Sequence, residues 1–518
     1  MPTNVTTWAE LNTACQSPPA DGVIMVMNDI VANNTITINK TTPIQIIGSN
    51  TSSPWTLSYP STTTATTRHF IINGAGGVTF DDIIIDGGSG ATNNSGVVPE
   101  SVTTGGSGIT FTNGLGNVIG PNCTIQNCFT RGSITGSPGL MGALSIYAVN
   151  GPTQIDFYGT VQYNRCYGTS YYSSGGGVCC FQRNANSYVI FNMFEGSKIQ
   201  YNSSWSAGGG VMVDTYSLQT NTNNVFNMYG GSINNNVSQS VGGGIAAGAS
   251  TDDAPVLNLM AGSINDNQAT GTSGYSTGVE LGNGGGIWLQ GGTCNVENDV
   301  KIWNNIAKKW GGGAYTSGQT TNNALKPVIN VTGGDWKGNQ AVLGAAIYKN
   351  GGPLVVTGGI FHEHHSAGDG AVFYAQAADI TLNASALSTN LKPNDNSEPE
   401  TGTVSIFNNS SQGNGGVVLV SGTNPSGGPV SSSLVATNIL FYNNSAIGNG
   451  GVVCSTKGSS TNNNAIATTN FTGCYFDNNS AANGGVLYSN GLNTTNSLTN
   501  CKFIENSATN GGAYYIAM

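Results

Sequence analysis

The sequence predicts an all-β chain, a right-handed parallel β-helix with three strands per rung and a short N-terminal capping helix. Three observations predict it. A glycine-rich strand start recurs at a spacing of about 34 residues, in the range where periodicity means a solenoid. A second motif, Ile/Phe-x-x-Asn, keeps step with the first. Charged residues are only 8% of the 518, against roughly 25% in ordinary soluble domains.

The glycine motif is clearest at Gly175-Gly176-Gly177, Gly208-Gly209-Gly210, Gly242-Gly243-Gly244, Gly284-Gly285-Gly286 and Gly311-Gly312-Gly313. Looser copies start at Gly344 and Gly370, and Gly-Gly pairs follow at Gly415, Gly450, Gly484 and Gly511. Glycine suits a sharp bend where the backbone passes close to its neighbours. The second motif places an Asn three residues after an apolar side chain, at Asn164, Asn202, Asn236, Asn267, Asn305, Asn339, Asn409, Asn444, Asn479 and Asn506. A small residue often stands two further on, as at Ala269, Ala307, Ala446 and Ala481. An apolar strand such as Val225-Phe226-Asn227-Met228 separates the two motifs.

Like strands recur only once per repeat, so each must lie parallel on the copy one repeat away, ~4.8 Å distant. The apolar residue then points inward and the Asn amides form a ladder along the turns, as in stacked in-register strands. Roughly 15 rungs make a rod on the order of 70 Å long. Before the repeats, Thr7-Trp8-Ala9-Glu10 reads as a capping box, opening a helix over residues 8–15 that covers the first rung. The expected organisation is a cap over 1–22, irregular rungs over 23–160 and regular repeats over 161–518. Insertions after the glycine strand (residues 215–224, 248–254, 315–326, 421–432, 454–467 and 489–499) share one phase. They should emerge along one corner, where repeat proteins often bind. The last Gly-Gly, Gly511-Gly512, begins a rung that nothing after it completes, which predicts self-association or another surface protein there.

Composition excludes several function classes. The net charge is −10 and Arg68, Arg131, Arg165 and Arg183 are the only arginines, so phosphate-neutralising nucleic-acid binding is not expected. No apolar run reaches the ~18 residues of a membrane span. Ten cysteines in this length are no disulfide scaffold, and no paired C-x-x-C zinc pattern occurs. Cys474 and Cys501 each precede a motif Phe by two residues, which stacks them on successive rungs as a bridge or a buried thiol stack. Sequons at Asn33, Asn39, Asn50, Asn202, Asn330, Asn470 and Asn493 allow glycosylation in a eukaryotic source.

Three constellations are candidates for chemistry. Three of the four histidines lie in Phe361-His362-Glu363-His364-His365. In a strand, His362 and His364 share a face and with Asp369 could suit a transition metal. Alternatively, His364 replaces a ladder Asn, because Phe361-x-x-His364 fits the motif. Asp81, Asp82 and Asp86 invite comparison with polysaccharide-cleaving carboxylates, but adjacent Asp81 and Asp82 would point to opposite faces of a strand. Trp205, Trp288, Trp303, Trp310 and Trp336, with Tyr171 and Tyr172, form either a sugar-stacking stripe or core packing. No cofactor is expected.

Phe441-Tyr-Asn-Asn444-Ser-Ala446, Phe476-Asp-Asn-Asn479-Ser-Ala481 and Phe503-Ile-Glu-Asn506-Ser-Ala508, each followed by Gly-Gly, resemble the repeat of chlamydial polymorphic outer membrane proteins. The similarity is strongest from Phe441 onward and looser from Val161 to Ile406. Earlier residues resemble only the broader pectate-lyase-like β-helix class. The resemblance implies surface exposure and, for some members, adhesion, but the chain lacks the C-terminal membrane barrel of the chlamydial proteins. The expected function is a non-catalytic extracellular or cell-surface structural protein, a subunit of a filament, appendage or coat. The alternatives are a glycan-binding adhesin module and, less favoured, a polysaccharide lyase or hydrolase.

Overall fold

A computed structural model describes residues 1–63, 67–89, 105–131, 141–149, 151–168, 174–184, 186–215, 223–249, 254–272, 281–318, 326–394, 396–398, 400–422, 431–456, 466–490 and 494–517. The sequon Asn493, the aromatic residues Tyr171 and Tyr172, and the middles of all six insertions lie outside the described residues. The chain divides into two compact units, Met1–Asn258 with Asn267–Leu281, and Leu259–Asp266 with Gly282–Met518.

Both units are parallel β-helices whose strands pair with the strand one coil away. In the first unit one coil consists of Val189–Met193, Lys198–Gln200, Ser203–Ser204 and Val211–Thr215. These pair in parallel register with Thr153–Phe157, Thr160–Gln162, Arg165–Cys166 and Val178–Gln182. In the second unit Ala467–Thr472, Tyr475–Asp477 and Leu487–Asn490 pair likewise with Ser432–Thr437, Leu440–Tyr442 and Val453–Thr456. The three expected faces are present. One of them is built from two short segments per coil, a division that no sequence motif marked.

Before the helix, Thr3–Val5 pairs in parallel with Ile24–Val26, so a strand precedes the cap. Helix α1 (Trp8–Gln16) has the full capping box, with Glu10 N donating to Thr7 Oγ1 at 3.2 Å and Thr7 N to Glu10 Oε2 at 3.1 Å. Its buried face is Trp8, Leu11, Ala14 and Cys15. The Trp8 ring lies 5.6 Å from Phe70, and its indole donates to Asn34 Oδ1 at 2.8 Å.

Two glycines of each triplet serve different ends. Gly208, Gly311 and Gly450 have φ of 66°, 66° and 70°, the left-handed region that glycine enters without strain. The next glycine is needed for space: a Cβ on Gly451 would sit 2.1 Å from the carbonyl oxygen of Gly485 in the next coil. Gly451→Ala is therefore expected to cost about 2 kcal/mol through forced separation of rungs. Gly196→Ala, at φ 84° with open space around the added Cβ, should cost only about 1 kcal/mol. Urea denaturation of both variants checks the order.

The residue before each ladder Asn is also special. Tyr201, Asn235, Asp266, Asn304, Asn408 and Asn443 all have φ between 52° and 57°. This left-handed residue turns the chain from the doubled face to the narrow one and leaves the Asn pointing inward. Columns of like side chains run through the core: Phe157, Phe191 and Phe226 in the first unit, at 5.6 and 5.4 Å, and Phe441 on Phe476 in the second at 5.0 Å, with exposed Phe503 continuing that stack at 5.0 Å.

Candidate functional site

The Asn residues form columns inside both units. Asn202 Nδ2 donates to Asn236 Oδ1 at 3.0 Å and to the Val161 carbonyl at 3.0 Å, while Asn202 N donates to the same Asn236 Oδ1 at 3.0 Å. Asn164, Asn202, Asn236 and Asn267 continue this pattern in the first unit. Asn305 and Asn339, then Asn409, Asn444, Asn479 and Asn506, do so in the second. Asn202 is thus both sequon and ladder residue. It is 1% exposed with both amide hydrogens donated, so it is removed from the glycosylation candidates. Asn33 and Asn39 are exposed, and Asn50, Asn330 and Asn470 are half-buried.

The histidine cluster is divided by a turn. Glu363 has φ 56°, ending one strand at His362, and the next begins at His365. His362 and His364 therefore do not share a strand face, which corrects that expectation. His364 occupies the gap in the ladder: Asn339 N donates to its Nδ1 at 3.1 Å and its own N donates to Asn409 Oδ1 at 2.9 Å. Burial pushes its imidazole down to about 3, and nearby His362 acts in the same direction. Asp369 instead accepts from Asn414 N at 2.7 Å and Nδ2 at 3.0 Å. Among the described residues no three His, Cys, Asp or Glu side chains converge to hold a metal ion.

The other candidates are also resolved by their contacts. Asp82 is a left-handed turn residue, φ 52°, rather than part of a strand. Asp81 and Asp82 both accept from Asn122, at 3.0 and 2.8 Å, and Asp86 accepts from Gln126 and Asn127. Trp288 and Trp336 are each 1% exposed, which removes them from any surface stripe. In the first unit Tyr158, Phe194 and Tyr229 stack at 4.5 and 5.2 Å, so both faces of Phe194 are covered.

None of the ten cysteines is in a disulfide, and Cys501 is the one not fully buried. Its strand neighbour Lys502 pairs with Tyr475, so Cys501 and Cys474 stand about 4.8 Å apart along the stack, inside the roughly 4.4–6.8 Å that a disulfide spans. Neighbouring Cys474 holds the Cys501 thiol below its ordinary range, whereas burial raises Cys15 and Cys294 to about 12. Iodoacetamide at neutral pH is expected to alkylate Cys501 first. Peptide mapping after limited labelling reads this, and a faster reaction at any other cysteine contradicts it.

A large cleft in the second unit was not singled out from the sequence. It encloses about 730 Å³. Its floor is the strand Thr293–Trp303 beside Asp335–Lys337, with Lys301 opposite Asp335 and Trp303 opposite Lys337. Ile302 and Trp336 are buried, so alternation turns the four neighbours outward. Its overhanging wall is Asn396, Ser397, Glu398 and Thr401, from residues 384–403, which leave the doubled face between its two segments. Gly402 closes this excursion at its base, accepting from Ser385 N at 2.9 Å. Glu400 braces it from within, accepting from Thr389 N and Oγ1 and Asn390 N at 2.9–3.1 Å. Slight burial acts against it, yet these bonds hold the Glu400 carboxyl below its ordinary range.

Behind the floor lies a chain of close polar contacts. His362, 1% exposed, meets Asp335 at 2.9 Å through Nε2 and Glu363 at 3.3 Å through Nδ1, and stacks on Phe407 at 4.9 Å. Lys337 meets Glu363 at 3.3 Å. Lys301 Nζ lies 4.9 Å from the centre of the Trp303 ring. The Trp303 indole N–H is buried without a hydrogen-bond partner. The sequence did carry a signal for this site. Outward charges alternate with apolar residues at 299–303 and 335–337, and Lys392, Asp395, Glu398 and Glu400 cluster in a charge-poor chain.

No family model matches the chain, and neither a curated protein nor a solved structure matches it.

Proposed function

We propose that the chain is a non-catalytic structural β-helix of the cell surface or extracellular space, a subunit of a filament, appendage or coat. The observation that carries this reading is how the chemically competent groups are used. The Asn amides, the candidate carboxylates and His364 are committed to bonds between rungs or at turns, and burial moves the interior thiols and His69, at about 4, away from neutral titration. Groups so placed stabilise a stack and are poor nucleophiles or proton carriers. The resemblance to surface-exposed repeat proteins and the low charge support the same reading, and no helix among the described residues is long and apolar enough to cross a membrane. Negative-stain microscopy across a concentration series, with antibody labelling of intact source cells, tests it. Particles that stay monomeric throughout and an absence of surface label would overturn it.

A second reading, a glycan-binding module, is favoured by the cleft over residues 299–303. Binding to no glycan on a broad array would remove that reading and leave the structural one intact.

A further inference from the structure

Resting on that second reading, we propose that the cleft binds a neutral, hydroxyl-rich oligosaccharide. Trp303 forms its apolar contact, and Asp299, Asp335 and Glu398 accept its hydroxyl hydrogens. The volume, about 730 Å³, lies within the ~300–1,000 Å³ of small-molecule sites. Apart from Val300 and Trp303 the lining is polar: amides, hydroxyls, carboxylates and two lysines. An apolar ligand would leave these groups desolvated and unpaired.

Charge narrows the ligand further. Three carboxylates face two lysines; Lys337 is already paired with Glu363 and Asp335 with His362, which leaves Asp299 and Glu398 against Lys301. A polyanion would meet more negative than positive charge, which disfavours uronate chains and phosphates. A bare cation finds no three convergent ligands among the described residues. A neutral sugar fits what remains. Its hydroxyls donate to carboxylates and accept from Lys301 and from Asn298 and Asn396, and its C–H face packs on an indole. Lys301 now rests over that ring, a contact that exposed sites hold weakly, so a sugar can displace it. Because Glu400 braces the excursion, the overhanging wall is in place before the ligand arrives, and little ordering cost opposes binding.

The test is titration calorimetry on the full chain with cello-, malto-, laminari-, manno- and chitohexaose, and with hexagalacturonate as the acidic arm. At least one neutral hexaose is expected to bind. Trp303→Ala should weaken it about tenfold, equivalent to ~1.4 kcal/mol, and Glu398→Gln should weaken it several-fold, by about 3–5 times. Glu398 is exposed on the excursion, so that variant remains informative if Trp303→Ala disturbs folding. Binding of hexagalacturonate alone overturns this inference while glycan binding survives. No binding by any of these sugars overturns it also, and the broad array then decides whether glycan binding survives. Affinity unchanged in both variants overturns the assignment to this cleft.

Discussion

Asn236→Ala is expected to destabilise the first unit by about 4 kcal/mol. The side chain is fully buried and makes four bonds. Its Oδ1 accepts from Asn202 N and Nδ2, and its Nδ2 donates to the Ile199 carbonyl and to Asn267 Oδ1, all at 2.9–3.0 Å. Alanine strands Asn202 N, one Asn202 Nδ2 hydrogen and the Ile199 carbonyl away from water, while Asn267 Oδ1 keeps the Asn236 N–H at 3.0 Å; each orphan costs roughly 1–3 kcal/mol, less than additively. Asn227→Ala is the contrast. That amide belongs to an outer, half-buried column, donating to Asn192 Oδ1 at 2.9 Å, and water can replace it. Its loss should cost under about 1 kcal/mol. Urea denaturation, with hydrogen exchange on residues 198–245 as a local probe, separates the two. Equal costs would mean that the inner column contributes no more than a surface ladder.

His364→Asn is expected to flatten the acid sensitivity of the second unit. His364 is fully buried, and burial pushes it down to about 3, while an unfolded histidine titrates near 6.5. Between these values the unfolded chain binds a proton that the folded chain does not. Stability therefore rises with pH through this window, and it falls on acidification by about 1.4 kcal/mol per pH unit below ~6.5. At pH 4 the loss reaches about 3.4 kcal/mol. Asparagine does not titrate, and its amide can resume the bonds that Asn339 and Asn409 make elsewhere in the column. Hydrogen exchange on residues 337–341 and 405–411 between pH 7 and 4 reads the slope locally. This keeps it apart from His69, which lies in the first unit and titrates low for the same reason. An unchanged slope in the variant would show that His364 is not the titrating group.

The fold was legible because its determinants are local and repeated. The left-handed glycine, the inward apolar residue and the ladder Asn recur through the regular repeats, so their spacing carries the period, the parallel pairing and the inner column. Even His364 could be placed by its phase. The capping box was equally local, with both partners three residues apart. Two constellations departed from expectation at single turns. Glu363 and Asp82 are left-handed although glutamate and aspartate are not obliged to be, so the faces assigned to His362, His364 and the Asp pair were wrong. Trp288 and Trp336 could have been surface or core by their residue type alone, and packing put them in the core.

By itself, then, the sequence determined the repeat, the sheet direction and which side chains line the interior, because a period of one coil converts spacing directly into contact. The tertiary structure alone decided the cleft. Its floor joins residues 299–303 to 335–337, a register visible only once coils are stacked. Its wall comes from residue 396 onward, held in place by Glu400 rather than by any motif. Stacking makes neighbours of residues that the repeat separates, and an excursion that leaves the repeat obeys no spacing at all.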